Sequence, residues 1–226
     1  MLTVLATDET DFKKTAVRNA GWFAEGATAA RHMPSQYGLA TGKYLSRSTR
    51  AGIVDTATGK WVIRLDNAHK VGKGLTPHIN INPKLTGVKD PHIPIPGSVV
   101  RGGEVATNAL SAVGKAAFVA GVVVDTYRIG EAFYNDYTET NGPGKRTAKV
   151  AASVAGGWAG GCAGAAAGSS TGAYIGGAIG ALFGGVGAVP GAAVGSLFGA
   201  VLGGVGGGVG GSVGAEALVE GLVSSD

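Results

Sequence analysis

Residues 156–211 read GGWAGGCAGAAAGSSTGAYIGGAIGALFGGVGAVPGAAVGSLFGAVLGGVGGGVGG. Glycine recurs at every fourth position as Gly156, Gly160, Gly164, Gly168, Gly172, Gly176, Gly180 and Gly184. After a change of phase it recurs again as Gly187, Gly191, Gly195, Gly199, Gly203, Gly207 and Gly211. Positions four apart share one face of a helix, so each run predicts a helix with bare backbone along one side. A strand would need a period of two, and the Ala, Val and Gly placement does not alternate. Glycine costs a helix interior about 1 kcal/mol per site relative to alanine, so something must offset it. Small-xxx-small ladders do so by letting two backbones approach closely. Between the two phases stands Val189-Pro190-Gly191, where proline has no amide to donate and the glycines permit a turn. The pattern predicts an antiparallel hairpin of helices, 145–186 and 191–223, turning within 184–191 with the glycine faces in contact.

Working outward, residues 150–215 are 66 consecutive residues without a charge. A bilayer core needs about 20 apolar residues as helix, so either arm is long enough to cross one. Alanine and glycine dominate, which makes the arms only mildly hydrophobic. A soluble bundle with a glycine-packed core and a hairpin that inserts into a membrane both fit. The missing charged outer face favours insertion. Upstream, Val105, Ala109, Val113, Ala116, Ala120, Val124 and Tyr127 fall at three- and four-residue spacing and predict a long helix over 103–137. Gly114 and Gly121 are small sites on it that could receive the ladder. Asn141-Gly142-Pro143-Gly144 ends it with turn chemistry. Lys145, Arg146 and Lys149 then stand at the mouth of the hairpin, suited to anionic lipid head groups or to keeping the helix start soluble.

The whole chain has 226 residues with 42 glycines, 8 prolines, 15% charged residues and a mean hydropathy of +0.22. That excludes a charge-rich disordered chain, and glycine without a three-residue period excludes collagen. A single cysteine, Cys162, excludes an internal disulfide framework and a cysteine-based zinc site. Residues 1–99 hold six more basic than acidic residues, and all four histidines, whereas residues 100–226 have two more acids than bases. The expected domains are a basic head, 1–99, and a helical domain, 100–226, whose hairpin occupies about 145–223. The boundary is expected near the Pro/Gly-rich stretch 94–103. The opening MLTVLATDETDFKK is too short in apolar residues for a secretory signal.

In the head, residues 8–31 predict a helix with an acidic first turn. Short strands are expected over 43–47, 51–55, 60–65, 77–82 and 92–95, with a turn at 56–59 and a loop over 67–75. Pro94 confines the last strand to an edge. The expected fold class is therefore an α+β N-terminal domain, a helix then an antiparallel meander, followed by an all-α glycine-zipper hairpin or bundle. Within 77–82, Ile79 and Ile81 alternate with His78, Asn80 and Asn82, which places an imidazole and two carboxamides on one face. His69, His78 and His92 lie close in sequence among Arg64, Lys70, Lys73, Lys84 and Lys89. Two imidazoles beside a cation can act as acid, base and phosphate stabiliser in metal-independent RNA cleavage. The candidate catalytic residues are accordingly His78, His92, His69, Lys84 and Arg64. Those for nucleic-acid contact are Arg47, Arg50, Lys70 and Lys73, although 46–50 also reads as cover for a strand edge. His32 reads as a helix-end residue. Asp66 and Asp90 read as isolated carboxylates, so no metal site is expected, and no cofactor motif occurs: there is no phosphate-binding P-loop and no G-x-S-x-G.

Two resemblances follow. VVVDTYRIGEAFYNDY at 122–137, the basic cluster, GGWAG and the two-phase ladder resemble the glycine-zipper modules of bacterial polymorphic toxins and secreted effectors, over roughly 119–220. That resemblance implies crossing or perforating a target-cell membrane after delivery without a classical signal peptide. Its implied partners are membrane lipid, an immunity or carrier protein and further copies of the chain. The helix-then-meander order with PHIN at 77–80 and PHIPI at 91–95 resembles the barnase, EndoU and colicin-type ribonuclease toxin domains, over roughly 10–96. It implies RNA as a partner in the target cytoplasm, with His78 and His92 at the positions matching the toxin-like histidine segments. The acidic general base of barnase-like members has no counterpart in the motif.

Overall fold

In the computed structural model, which describes residues 9–32, 36–71, 74–87, 89–182 and 187–223, helix α1 (Glu9–His32) leads into strands β1 (Tyr37–Leu39), β2 (Thr49–Asp55), β3 (Lys60–Val71) and β4 (Gly74–Ile81). The one-turn helix α2 (Pro83–Thr86) and strand β5 (Ile93–Pro94) follow, then three long helices, α3 (Gly97–Thr140), α4 (Lys145–Ala181) and α5 (Ala188–Val223). The strands lie in the order β1-β2-β3-β4-β5, every neighbour antiparallel. This is the α+β meander and the helical C-terminal part that the sequence predicts, with Pro94 on an edge strand. At the 56–59 turn, Gly59 takes φ +65°. There Asp55 accepts from the Thr58 amide and hydroxyl, both at 2.7 Å. Those bonds hold its carboxyl below the usual range.

Three local expectations are corrected. Residues 43–47 form no strand but follow a 3₁₀ turn, Gly42–Tyr44. The Ser46 hydroxyl accepts from the Ser48 and Thr49 amides, a local turn that competes with ladder pairing. The expected loop at 67–75 is instead a continuation of β3 and β4, paired as far as Val71↔Gly74, with 72–73 outside the described residues. Helix α3 starts at Gly97, because what reads as a Gly-rich linker is a close contact: a Cβ on Gly103 would overlap the Leu65 side chain.

Contacts gather the chain into two compact units, Met1–Met33, Gly114–Ala167 and Val201–Asp226 in one, and Pro34–Val113 with Gly168–Ala200 in the other. They cut across the compositional boundary at residue 99, since α3, α4 and α5 each contribute to both. In the first unit the ladder forms three rungs, Gly156 with Gly211, Gly160 with Gly207 and Gly164 with Gly203. A Cβ on the α4 glycine would overlap the partner's carbonyl oxygen in each. Helix α1 docks equally closely, with Gly26 against the backbone of Gly204 and Val205. Gly121 meets Ala24 and Trp158 rather than the ladder.

The same unit encloses a polar knot. Arg128, 7% exposed, lies 3.5 Å from Asp125, 3.6 Å from Glu25 and 3.7 Å from Glu216. Its guanidinium also donates to Ser153, as does Trp22, at 3.0 and 3.2 Å. Trp158 donates to Asp125 and Ser212 to Glu25, each at 3.0 Å. Gly157 makes room, since a Cβ there would overlap the Glu25 carboxylate. One guanidinium cannot balance three carboxylates. Burial foremost, and then Asp125, push the Glu25 carboxyl up to about 8. The VVVDTYRIGEAFYNDY and GGWAG segments thus contribute Asp125, Arg128, Gly157 and Trp158 to this knot. The basic trio at the hairpin mouth is engaged by the protein itself: Arg146 with Glu139 and Lys149 with Glu220, both at 2.8 Å, and Lys145 with the Val223 carbonyl at 3.3 Å.

In the second unit four more rungs pair Gly168 with Gly199, Gly172 with Gly195, Gly176 with Gly191 and Gly180 with Gly187. Ser169 and Ser196 meet at 2.6 Å beside them. Gly184 and the rest of 183–186 lie outside the described residues, so α4 is described to Ala181 rather than 186. Pro190 sits in the first turn of α5, where its missing amide costs nothing. The unit's core joins Tyr37, Ile53 and Val62 of the sheet to Ala193, with Val189, Ala192 and Leu197 packed around them.

Candidate functional site

The chemistry gathers on one face of β3 and β4. Antiparallel register sets Asp66 opposite His78 and Arg64 opposite Asn80, so these four side chains share a face. His69, three residues after Asp66, would point to the other face of a regular strand. A register shift between Asp66 and His69 instead places His69 opposite Thr76, two residues from His78 and on its face. The His69 and His78 ring centroids stand 4.8 Å apart. His92 joins from the segment before β5. Its amide and that of Ile81 both reach the Asp90 carboxylate, at 3.3 and 3.0 Å. It adopts φ +44°, a left-handed conformation costly for a side-chain-bearing residue. Its ring meets His78 edge-on at 5.3 Å.

Asp66 and His78 are buried, 1% and 2% exposed, whereas His69 and His92 are 35% and 45% exposed. The Asp66 Oδ2 accepts from Asn80 at 2.7 Å and lies 3.1 Å from Arg64 Nε. It stands 3.9 Å from His69 Nε2 and 4.0 Å from His78 Nε2. Each Nδ1 lies 2.8 Å from a backbone carbonyl, Asn67 O for His69 and Thr76 O for His78. A carbonyl only accepts, so Nδ1–H donates in both rings and the neutral ring keeps its lone pair on Nε2. His78 Nε2, Asp66 Oδ1 and Asn80 Oδ1 are buried without a hydrogen-bond partner. One ligand atom from each of Asp66, His69 and His78 lies within 4.8 Å of the others, a set able to hold a metal ion.

Of the predicted catalytic residues, the fold brings His69, His78, His92 and Arg64 together. Lys84 is elsewhere, lining a shallow pocket with Lys60, Trp61, Asn82 and Pro83. Asn82 shares no chemistry with the cluster: it caps α2 by accepting from the Lys84 amide and donates to the Trp61 carbonyl, at 3.0 and 2.6 Å. Among the residues expected to meet nucleic acid, Arg50 is engaged through Nε and Nη2 by the two carboxylate oxygens of Glu104. Arg47 is exposed and Lys70 lies in β3. Lys73 lies outside the described residues, as do the side chains of Lys70 and His32. The reading of Asp66 as isolated is overturned, since it sits between two imidazoles. Its place depends on register and on a bulge, neither visible from residue spacing along one strand.

Residues 21–113 match the family model described as the C13G5.2-like N-terminal domain. An uncharacterized protein C13G5.2 of Caenorhabditis elegans is 34% identical over 95 residues, covering 40% of this chain and 26% of that protein. The chain therefore matches about a quarter of that relative's length. No solved structure matches it. The family match contains the sheet and its histidine cluster and ends before α4. Neither description carries an activity.

Proposed function

We propose that this protein acts at a membrane, by placing the glycine-zipped α4–α5 hairpin in a lipid bilayer, as the toxin and effector modules it resembles are expected to do. The observation that carries the reading is the inverted packing of the two helices. Glycine, alanine and serine face the helix contact, while Tyr174, Leu182, Phe198 and Leu202 are 80%, 83%, 68% and 73% exposed. Only 22% of the most apolar window of each helix is buried. In water each large apolar side chain left outside forgoes roughly 1.5–3 kcal/mol of burial. Lipid removes that cost, and backbone-to-backbone rungs are a form of helix association that needs no hydrophobic driving force. Both helices are long and apolar enough to span, and α3 is a third such helix.

In this reading the histidine-bearing sheet is the head that the hairpin serves. His78 is too buried to touch a phosphodiester, so any acid–base action on RNA falls to the half-exposed His69 and His92. The test is dye release and co-flotation with liposomes using the full chain. The expected result is leakage and flotation by the wild type, with leakage lost in Gly172→Leu/Gly176→Leu although that variant is greasier. A wild type that stays in the aqueous phase without leakage would overturn the reading in favour of a soluble bundle.

A further inference from the structure

The geometry points to a site for one divalent transition-metal ion of the zinc class, formed by Asp66, His69 and His78. It stands apart from the membrane reading and uses only the sheet. Three electron-pair donors converge, and neither imidazole aims a proton at the carboxylate, since each Nδ1–H is spent on a backbone carbonyl. Those two bonds are the outer-shell contacts that orient metal-binding imidazoles and fix their tautomer. Asp66 Oδ2, the oxygen that faces both Nε2 atoms, accepts from Asn80 and carries the Arg64 ion pair, whereas Oδ1, like His78 Nε2, is buried without a hydrogen-bond partner. Buried orphan acceptors are rare and call for a cation or a donor.

A proton is the poorer answer. Both Nε2 atoms stand 3.9–4.0 Å from the nearest carboxylate oxygen, beyond hydrogen-bonding reach. A metal with bonds of about 2.0–2.1 Å to each side draws the groups together across such a gap. Tetrahedral geometry needs the ligand atoms about 3.3 Å apart, so a set that lies within 4.8 Å must contract on binding, a movement that half-exposed His69 can supply. Two imidazoles and one carboxylate select zinc, nickel or ferrous iron over magnesium and calcium. Three protein ligands leave a position for water or another small ligand, the pattern of open rather than purely structural zinc sites. Arg64 competes with the ion for Asp66 and moderates affinity.

The experiment titrates chelator-treated full-length protein with zinc by calorimetry and with cobalt(II) by visible absorption. One equivalent is expected to bind, with cobalt d–d bands of low coordination number. His69→Ala and Asp66→Asn should each weaken binding at least about 100-fold, above the 10–100-fold typical of outer-shell changes. Arg64→Met should tighten it, and Lys84→Ala should leave it unchanged. His69 is half-exposed, so His69→Ala keeps the test valid should a change at buried Asp66 or His78 unfold the sheet. Substoichiometric binding, or binding that His69→Ala leaves intact, would overturn the proposal.

Discussion

The sheet and the α4–α5 ladder both pack tightly, by opposite means. In the sheet the interior is made of side chains, and it includes ionisable ones: Asp66, His78 and Asn80 are at most 2% exposed, and Asn80 donates to Asp66. In the ladder the contact has almost no side chains, and each rung sets one backbone on another. The sheet therefore depends on chemical identity at a few positions, and the ladder on the absence of volume at many. A substitution that changes only volume should be felt in the ladder, and one that changes only polarity in the sheet.

The largest effect is expected from adding one methyl at each of two rungs, Gly160→Ala with Gly164→Ala. Helix propensity alone says the pair should stabilise α4 by about 2 kcal/mol. The new Cβ atoms would instead overlap the carbonyls of Gly207 and Gly203, which are backbone and cannot change rotamer. Overpacking costs about 1–3 kcal/mol per site, so even against that gain a net loss of up to about 4 kcal/mol is expected in thermal unfolding followed by circular dichroism. A rise in the midpoint would show that the rungs have room for a methyl group.

Next is the polar knot, where the helices behave for once like the sheet. The Glu25 carboxyl is raised from 4.5 to about 8, chiefly by burial. Between those values the folded state holds a proton that the unfolded state has lost. The contribution is thus fully present below pH 4.5 and drains away as pH rises towards 8. Glu25→Gln, neutral throughout, should flatten the stability profile over that window. At pH 9 it should exceed the wild type by on the order of a few kcal/mol. Parallel pH profiles for the two proteins would contradict the assignment.

In the sheet, Asn80→Ala removes the bond to Asp66 and leaves a buried carboxylate short of a donor. A loss of about 1–3 kcal/mol is expected in denaturant unfolding. Arg50→Ala, at a partly exposed pair with Glu104, should cost well under that, about 1 kcal/mol or less. Equal losses at the two positions would mean that the Asp66 cluster is not the polar centre of the sheet.

How much of this was legible follows from the same contrast. The ladder declares itself, because a contact repeated every turn writes a four-residue period into the sequence, and Pro190 marks the phase change. The meander and the edge position of Pro94 were legible for the same reason, from alternation and turn residues. Asp66 was not, since it meets His78 only through pairing across strands. His69 reaches them only through an added residue that shifts the register. Glu25 was hidden differently: it lies far along the chain from Asp125, Arg128 and Ser212, and nothing local in α1 announces them. The strand expected at 43–47 failed because the Tyr44 and Leu45 amides turn back onto the Thr41 and Gly42 carbonyls, so they are spent locally.

The smallest expected effect is the sharpest test of the ladder, because it reverses sign with position. Gly206, Gly210 and Gly214 lie in α5 among the rung glycines, yet a Cβ at any of them meets nothing within 4 Å. These sites pay the conformational cost of glycine without any close contact in return. Gly210→Ala should therefore stabilise the helix by up to about 1 kcal/mol, the difference in propensity between the two residues. Gly211→Ala, one position along, should destabilise, since its Cβ would overlap the Gly156 carbonyl. Neighbouring substitutions of identical chemistry and opposite sign cannot come from hydrophobicity or from the unfolded chain, which treat them alike. If both raise the midpoint, α5 does not press on α4 at Gly156. If both lower it, the outward face of α5 is also closely packed in solution, against lipid or another chain, and Gly210 belongs to that second contact.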